Sequence, residues 1–408
     1  MEFKTTTLSN GLTVIAEVNP SAKSLAAGFF AKTGSRDETD EISGVSHFLE
    51  HMMFKGTDRR NALEVNLEFD QLGALYNAFT SEENTVYYAG VLPEFQTAML
   101  DLLGDLLRPA LRLEDFDMEK EVILDEIARY EDQPTFKMYE HLMATHFAGH
   151  PLARNVLGTP ESVSALKRDD MQQYFDRRYS PGNVTLIGVG NIDWDAFGEK
   201  AEEMCSHWKP FDTHRTLDHC SGAGTRKTVV DPKINRQQIG IMSPAPAAQD
   251  ESRFAAQLLA TIIGDVIGSR LYYALVDPAI ADEASMAYDM LDGTGGFMTF
   301  ISTDPKRGSE ALDIALAEFA KIIEGGFSDL ELQAAKNKIA SAATLKGEVP
   351  MGRLTAVGFD WVYRKDYMPL AQQIEKLFEV TADEVMSVAR QFDLTKVTIL
   401  ALGPLEKI

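Results

Sequence analysis

The alternation of apolar and polar residues along the first half of the chain predicts a sheet interrupted by helices. Residues 5–8 and 12–17 alternate around the turn Ser9-Asn10-Gly11, a pattern typical of a β-hairpin. A polar loop, residues 33–42, leads into a short apolar helix. Further strands are predicted at residues 24–32, 75–80, 85–91 and 184–189, and further helices at residues 61–72, 93–107, 114–132, 134–147 and 164–179.

The same order of elements returns in the second half of the chain. Residues 209–226 contain proline, glycine and serine with weak apolar periodicity, which indicates a linker. We therefore predict a first domain at residues 1–208 and a second at residues 227–408. In the second domain, strands are predicted at residues 236–243, 284–291, 296–303 and 396–402, and helices at residues 251–263 and from residues 308, 328 and 351. The matching order and spacing predict an internal duplication.

The composition is that of an ordinary globular protein, and the chain is long enough for more than one domain. The 408 residues are 45% hydrophobic and 25% charged. No apolar run approaches the roughly 18 residues of a membrane span, and no basic segment followed by an apolar one suggests a signal peptide. Cys205 and Cys220 lack a metal-binding spacing, so we expect free thiols in a reducing compartment. These features predict a cytoplasmic protein.

The formal net charge of −23 narrows the possible partners. It argues against nucleic acid and anionic membranes, because both attract basic surfaces. It could attract basic peptides over a distance. The simpler interpretation is a surface that keeps the protein in solution, unless the charge lines a cavity.

Candidate chemistry is concentrated in the segment Ser46-His47-Phe48-Leu49-Glu50-His51-Met52-Met53. It contains the order His-x-x-Glu-His, the reverse of the commoner zinc-protease order His-Glu-x-x-His. On a helix, the two histidines share a face with the glutamate beside them. Two neutral imidazoles suit Zn²⁺, and a neighbouring carboxylate can take a proton from water. A catalytic zinc has three protein ligands, so the motif predicts a third ligand elsewhere.

A third ligand is available in an acid-rich helix, residues 114–132. Glu119 and Glu126 are two turns apart and fall on nearly the same face of this helix. Such a helix can equally well direct its carboxylates to solvent, and the helix alone leaves both alternatives open. The spacing across a predicted helix end favours structural roles for three further histidines: His141, His146 and His150.

In combination, these segments resemble the M16 metallopeptidase family, which includes pitrilysin, insulinase and mitochondrial processing peptidase, and especially its short-chain M16B type. Residues 44–57 are similar to the zinc segment of the family without a gap. Residues 121–127 are similar to its third-ligand helix, and residues 73–81 to its substrate-binding strand. The likeness spans the whole chain and is most specific between residues 8 and 190.

The resemblance implies a role for each matching residue. His47, His51 and Glu126 are the implied ligands of a Zn²⁺ cofactor. Glu50 is the implied general base, and Glu119 is a further carboxylate that supports the catalytic site. An extended peptide is expected to add to an exposed sheet edge, whereas the pattern alone also allows a satisfied inner strand. The residues of this edge are Asn77, Ala78, Phe79 and Thr80.

The resemblance also implies a fold and an activity. The expected fold class is α+β, with two similar α/β halves. Each half is a mostly antiparallel sheet with helices packed on one face, as in the LuxS/M16-type metalloenzyme fold. The second half lacks the metal motif, because the matching residues 258–263 are almost all apolar. The expected activity is zinc-dependent hydrolysis of peptides or unfolded segments inside a chamber formed by two chains.

One feature departs from the family pattern. Many members grip the peptide with an Arg and a Tyr from the second half, but residues 295–307 contain no such pair on the predicted strand. Arg270 and Tyr272 lie nearby at a different place. We therefore expect a partner chain to supply the grip, in a homodimer or in a heterodimer with a sister M16 subunit. Full activity of a monomeric chain would contradict this expectation.

Two alternatives belong to other classes of function. The first is a non-catalytic subunit of an M16 heterodimer, which would have no need of Glu50. The second is a peptide-binding chamber with a structural metal, for which a fourth protein ligand, commonly Cys, is expected. Both cysteines are distant from the motif in sequence, which favours an open catalytic site.

Overall fold

The computed structural model describes residues 1–217, 220, 222 and 224–406. The predicted linker, residues 209–226, therefore lies partly outside the described residues. Eleven strands in two sheets are present in the described part of the chain. They are β1 (Glu2–Thr7), β2 (Thr13–Val18), β3 (Leu25–Ala31), β4 (Leu75–Thr80), β5 (Thr85–Val91), β6 (Val184–Gly190), β7 (Arg226–Val230), β8 (Gln237–Pro244), β9 (Ala281–Leu291), β10 (Thr294–Thr303) and β11 (Thr398–Gly403).

The α-helices of the described residues are α1 (Val45–Met53), α2 (Ala62–Gln71), α3 (Gln96–Leu106), α4 (Leu113–Glu131), α5 (Pro134–His146), α6 (Pro160–Ala165), α7 (Arg168–Arg178), α8 (Trp194–Cys205), α9 (Arg253–Gly264), α10 (Gly308–Gly325), α11 (Asp329–Gly347), α12 (Pro350–Arg364), α13 (Leu370–Glu379) and α14 (Ala382–Gln391). The single helix predicted at residues 164–179 is wrong, because Leu166 and Lys167 are extended and separate α6 from α7. Among the helices described, none is long and apolar enough to cross a membrane.

Two compact units divide the chain, and each combines segments that are distant in sequence. The first unit comprises Met1–Ala128, Arg154–Thr216 and Leu345–Met368. The second comprises Arg129–Ala153, Leu217–Thr344 and Pro369–Ile408. The domain bounds 1–208 and 227–408 stay a prediction. The compact units differ from them because α12 joins the first unit and α5 joins the second.

The first unit is built on a sheet with the strand order β1-β2-β6-β3-β5-β4. Neighbouring strands are antiparallel except for the parallel pair β2 and β6. Successive residues of β3 point to opposite faces, so Phe29 contacts Trp208 while Phe30 packs against α12. Gly358 permits this close approach of α12, since a Cβ there would lie 2.2 Å from Phe30 Cε1.

The second unit repeats this arrangement on a sheet with the order β7-β11-β8-β10-β9. The pair β7 and β11 is parallel and the other pairs are antiparallel. Helix α5 covers one face through Met138 and Leu142, and the opposite face packs on a core that includes α9, α10 and α14. The predicted fold class, with two similar and mostly antiparallel α/β halves, is confirmed. Each sheet also carries one helix on its second face, which the prediction did not include.

A buried ion pair holds α12 on the first sheet. Arg353 donates from Nε and Nη2 to Glu17 Oε2 at 3.0 and 2.7 Å, and Tyr367 Oη donates to the same oxygen at 2.7 Å. Arg353 and Glu17 are only 2% and 1% exposed. Arg353 is the fourth residue of α12. The fourth residue of α5 in the second unit, Lys137, is also a cation, and its Nζ lies 3.1 Å from Asp231. This second pair is partly solvated, with side chains 20% and 18% exposed.

Arg353→Met is expected to lower the free energy of unfolding of the first unit by about 3–5 kcal/mol, because it leaves the Glu17 carboxylate buried without its cation. Lys137→Met is the matched control, with an expected loss of about 1 kcal/mol or less, since solvent screens its pair. Urea unfolding of both variants, followed by fluorescence, measures the two losses. Equal losses would show that the buried pair does not anchor α12.

Candidate metal centre

Helix α1 begins at an unusual turn. Gly44 has φ +91°, and a Cβ at this position would lie 2.6 Å from the Leu157 carbonyl oxygen. Glycine cannot cap the helix with a side chain. The Glu38 carboxylate takes that place, since it accepts the backbone N–H groups of Gly44 at 2.8 Å and Ser46 at 2.7 Å. A carboxylate is favourable at this end of a helix because it complements the helix dipole.

Buried polar groups continue this support. Ser46 Oγ lies 2.6 Å from Tyr174 Oη, and Thr33 Oγ1 lies 2.7 Å from the same phenol oxygen. Glu38 is 3% exposed, and burial raises its pKa to about 7, although its hydrogen bonds to Ser46 and Gly44 oppose the shift. The start of α1 is therefore fixed by contacts with residues distant in sequence.

The side of α1 packs against α4. The rings of Phe48 and Phe116 stack with centroids 4.6 Å apart and planes 16° apart. This contact brings one face of α1 close to the glutamates of α4, because residues three and four positions apart share a helix face. His47, His51 and Glu126 consequently meet at one place.

The three side chains have the spacing of a metal site. Glu126 Oε2 lies 3.7 Å from His47 Nε2 and 3.4 Å from His51 Nε2, and one ligand atom from each residue lies within 4.8 Å of the others. Zinc bonds of about 2.0–2.2 Å in a tetrahedron place ligand atoms about 3.4 Å apart. The donor set and its spacing therefore fit zinc, which is the cofactor that the sequence predicted.

Glu119 contacts the site through His51. Its Oε1 lies 2.9 Å from His51 Nδ1, and its other oxygen is paired with the Lys55 ammonium group. If Nδ1 carries the proton that Glu119 accepts, Nε2 is left as the metal-binding nitrogen. Sequence reasoning missed Lys55, although it falls within residues 44–57, the segment similar to the family's zinc segment.

The protonation of these groups reflects their surroundings. Burial, with the charge of His51, lowers the pKa of His47 to about 3, so His47 is neutral and suited to bind a metal. Burial alone would lower the pKa of His51. The Glu119 hydrogen bond and the charges of Glu126 and Glu50 outweigh burial and raise it. Burial acts to raise the pKa of Glu119, but His51 and Lys55 hold it below its ordinary value.

Glu50 lies on the same helix, between the two histidines. Thr80 Oγ1 donates a hydrogen bond of 2.6 Å to Glu50 Oε2. Burial raises the pKa of Glu50, and the Thr80 hydrogen bond partly opposes this shift. Glu50 follows His47 by three residues, so the two side chains share a helix face. The charges of His51 and Glu126 act on the Glu50 carboxylate, which places it beside the three ligand residues.

The predicted substrate strand, β4, is the edge strand of the first sheet. Asn77 is exposed and Ala78 is buried, while the Asn77 amide oxygen accepts the Ala78 N–H at 2.9 Å. Phe79 contacts the rings of Tyr88 and Phe359. Of the four predicted residues, Thr80 differs because its hydroxyl is directed to Glu50.

Other candidate groups are engaged elsewhere. Arg270 pairs with Glu331 at 2.7 Å and donates to the Gly326 carbonyl at 2.8 Å. His146 is buried with Nδ1 3.1 Å from Thr398 Oγ1, and His150 Nδ1 accepts the Leu152 N–H at 3.2 Å. These contacts agree with the structural roles predicted for the two histidines.

Comparisons with known proteins give the same peptidase family for two long segments of the chain. Residues 13–160 match the model of Insulinase (Peptidase family M16), and residues 165–339 match that of the Peptidase M16 inactive domain. An uncharacterized zinc protease of Streptomyces coelicolor is 29% identical over 419 residues, which cover 98% of this chain and 89% of the relative. The probable mitochondrial-processing peptidase subunit beta of Arabidopsis thaliana is 28% identical over 422 residues, covering 100% and 79%.

A solved structure shows the same fold. The crystal structure of a protease from Helicobacter pylori superposes with a TM-score of 0.92 at 21% identity and covers 99% of each chain. The chain described here therefore belongs to peptidase family M16, with similarity to its M16B type. The second family model bears the description "inactive domain", and the residues that it matches, 165–339, contain no His-x-x-Glu-His motif.

Glu38→Gln tests the carboxylate at the start of α1. The folded-state pKa of Glu38, about 7, lies above its unfolded value, so its contribution to stability is present at low pH and is lost as the pH rises through 7. Between pH 5.5 and 8, the free energy of unfolding of the wild type should fall by about 2 kcal/mol relative to the variant, because the variant has no ionisable group at position 38. Thermal unfolding of both proteins across this range measures the change. A difference in midpoint that is constant with pH would contradict the raised pKa.

Proposed function

We propose that this chain is a zinc-dependent endopeptidase that hydrolyses peptides or unfolded segments. The observation that carries the proposal is the convergence of His47, His51 and Glu126 within 4.8 Å, beside Glu50. Membership of family M16 and the relatives that are named zinc proteases support it. A structural metal is less consistent with the site, because a closed zinc site has four protein ligands and this group, among the described residues, has three.

In this proposal, His47 and His51 hold zinc through their Nε2 atoms and Glu126 holds it through a carboxylate oxygen. When bound, zinc supplies Lewis-acid chemistry, which lowers the pKa of a water molecule and polarises a carbonyl group. Glu119 accepts a hydrogen bond from the Nδ1–H group of His51 and keeps Nε2 directed to the site. Lys55 balances the charge of Glu119 and keeps it ionised.

Glu50 is the proposed general base. Its carboxylate takes a proton from the water molecule that attacks the scissile carbonyl carbon, and the same proton then passes to the nitrogen of the leaving amine. Burial raises the pKa of Glu50, which makes the carboxylate a stronger base.

The substrate is proposed to add to the edge of the first sheet at β4 as an additional strand. Main-chain hydrogen bonds would then hold peptides with little dependence on their side chains. Asn77 Oδ1 accepts the Ala78 N–H, so the Asn77 side chain has to turn away before a peptide can use that donor.

The location of this protein in the cytoplasm stays a prediction.

Glu50→Gln is expected to lower the rate of peptide hydrolysis about 10²–10⁴-fold while zinc stays bound, because the variant keeps the metal ligands and loses the base. Cleavage of a quenched peptide library and metal analysis of the same samples measure both effects. Removal of zinc with a chelator should abolish wild-type activity, and added zinc should restore it.

Glu121→Gln is the matched control for this experiment, since Glu121 is an exposed glutamate on α4. It should retain wild-type activity. Turnover by a zinc-loaded Glu50→Gln protein would exclude Glu50 as the base. A wild-type chain that binds no zinc would overturn the proposed function itself.

The proposed chamber requires a second chain, either a second copy or a sister subunit. One relative is named as a subunit of a processing peptidase, which supports this part of the proposal. The specific activity of the purified chain should rise with protein concentration if two copies associate, as measured together with the mass in solution by light scattering. A zinc-loaded chain inactive at every concentration would indicate a sister subunit, and full activity as a monomer would contradict the chamber.

A further inference from the structure

We propose that Thr80 is a positioning residue for Glu50, and that through Thr80 the strand edge at β4 fixes the carboxylate of the base. The inference rests on the function proposed above and adds a residue to it. Sequence similarity placed Thr80 among residues that contact the peptide, whereas the geometry points to the base.

The contact itself is short and directional. Thr80 Oγ1 lies 2.6 Å from Glu50 Oε2, a length typical of a hydroxyl that donates to an ionised carboxylate. This bond fixes one oxygen of the carboxylate and leaves Oε1 for the attacking water. A glutamate side chain has several rotatable bonds, so a single fixed donor restricts it strongly.

Thr80 suits this task because its own side chain is constrained. It is the last residue of β4 and lies opposite Thr85 of β5 in the sheet. A β-branched residue in a strand has restricted χ1 freedom, so the backbone of β4 determines where the hydroxyl lies. The position of Glu50 is thereby tied to a strand rather than to α1 alone.

The edge position of β4 gives this contact a further consequence. Among the strands that the structure describes, β4 pairs with β5 alone, so one side of β4 is open to another strand. A peptide that adds there gives β4 a second neighbour and restricts its motion. Since Thr80 joins the strand to Glu50, peptide binding would also restrict the carboxylate of the base. Loss of the hydroxyl should therefore act on kcat more than on KM.

The test compares Thr80→Val, which removes the hydroxyl with little change of shape, with Thr80→Ser, which keeps it. Steady-state hydrolysis of one quenched peptide should show kcat of Thr80→Val lowered about 10–100-fold, with KM changed less than about threefold. Thr80→Ser should recover most of the loss. Thr6→Val is the matched control, because Thr6 is an exposed threonine on β1, the opposite edge of the same sheet.

A double-mutant comparison separates this role from others. If Thr80 acts through Glu50, Thr80→Val should have almost no further effect in a Glu50→Gln background. A rise of KM with unchanged kcat would show that Thr80 contacts the peptide instead, and would overturn the inference. Equal losses in Thr80→Val and Thr80→Ser would also overturn it, since they would indicate packing.

Zinc content and thermal midpoint, measured on every variant, distinguish a failure of the role proposed for Thr80 from a failure of the proposed function. Both should match the wild type, so that a lower kcat cannot come from a lost metal or an unfolded chain. Wild-type activity that depends on Glu50 but not on Thr80 would overturn this inference and leave the proposed function intact. An inactive wild-type chain that fails to bind zinc would overturn both.

Discussion

The carboxylate of Glu38 at the start of α1 is the contact on which the rest of the candidate metal centre depends. Helix α1 has only nine residues, and helices of that length are not stable alone in water. Its position must therefore come from tertiary contacts. Glu38 fixes the start, the stack of Phe48 on Phe116 fixes the side, and the bond from His51 to Glu119 fixes the end. A helix held in this way presents its two imidazoles at a fixed spacing, which a metal site requires.

The same contacts bring several acidic groups together, and the charges have physical consequences. Glu50, Glu119 and Glu126 all act on His51, which has a raised pKa as a result. A proton on His51 and a metal at its Nε2 exclude each other, so protons and zinc compete for the site. Lys55 limits this competition by pairing with Glu119, since a carboxylate whose charge is balanced by an ammonium group attracts a proton to His51 less strongly. The site thus combines a histidine that is neutral by burial, His47, with one whose basicity is set by its neighbours.

The parts of this arrangement that could be predicted from sequence are those with local periodicity. The spacing of His47, Glu50 and His51 fixes a shared helix face, and the two-turn interval between Glu119 and Glu126 does the same on α4. Contacts between distant segments leave no comparable periodic spacing in the sequence. Glu38 lies in a polar loop, the Thr80 hydroxyl could have pointed to either face of a sheet, and α12 has the same amphipathic pattern whichever sheet it covers. These features became visible only in three dimensions.

Apart from the additional edge strand β1, the two sheets share their strand order, and their differences show what the metal site demands of a helix. Helix α9 follows β8 as α1 follows β3, and α9 buries a continuous apolar surface that includes Leu258, Leu259 and Ile262. Helix α1 instead keeps one face polar. Burying His47 there lowers its pKa to about 3, because the site is an unfavourable environment for a charged imidazole. The half without the motif is free of that constraint and gains apolar packing in its place. An internal duplication can therefore preserve the sheet in both halves while the contacts that position a metal are maintained in only one of them.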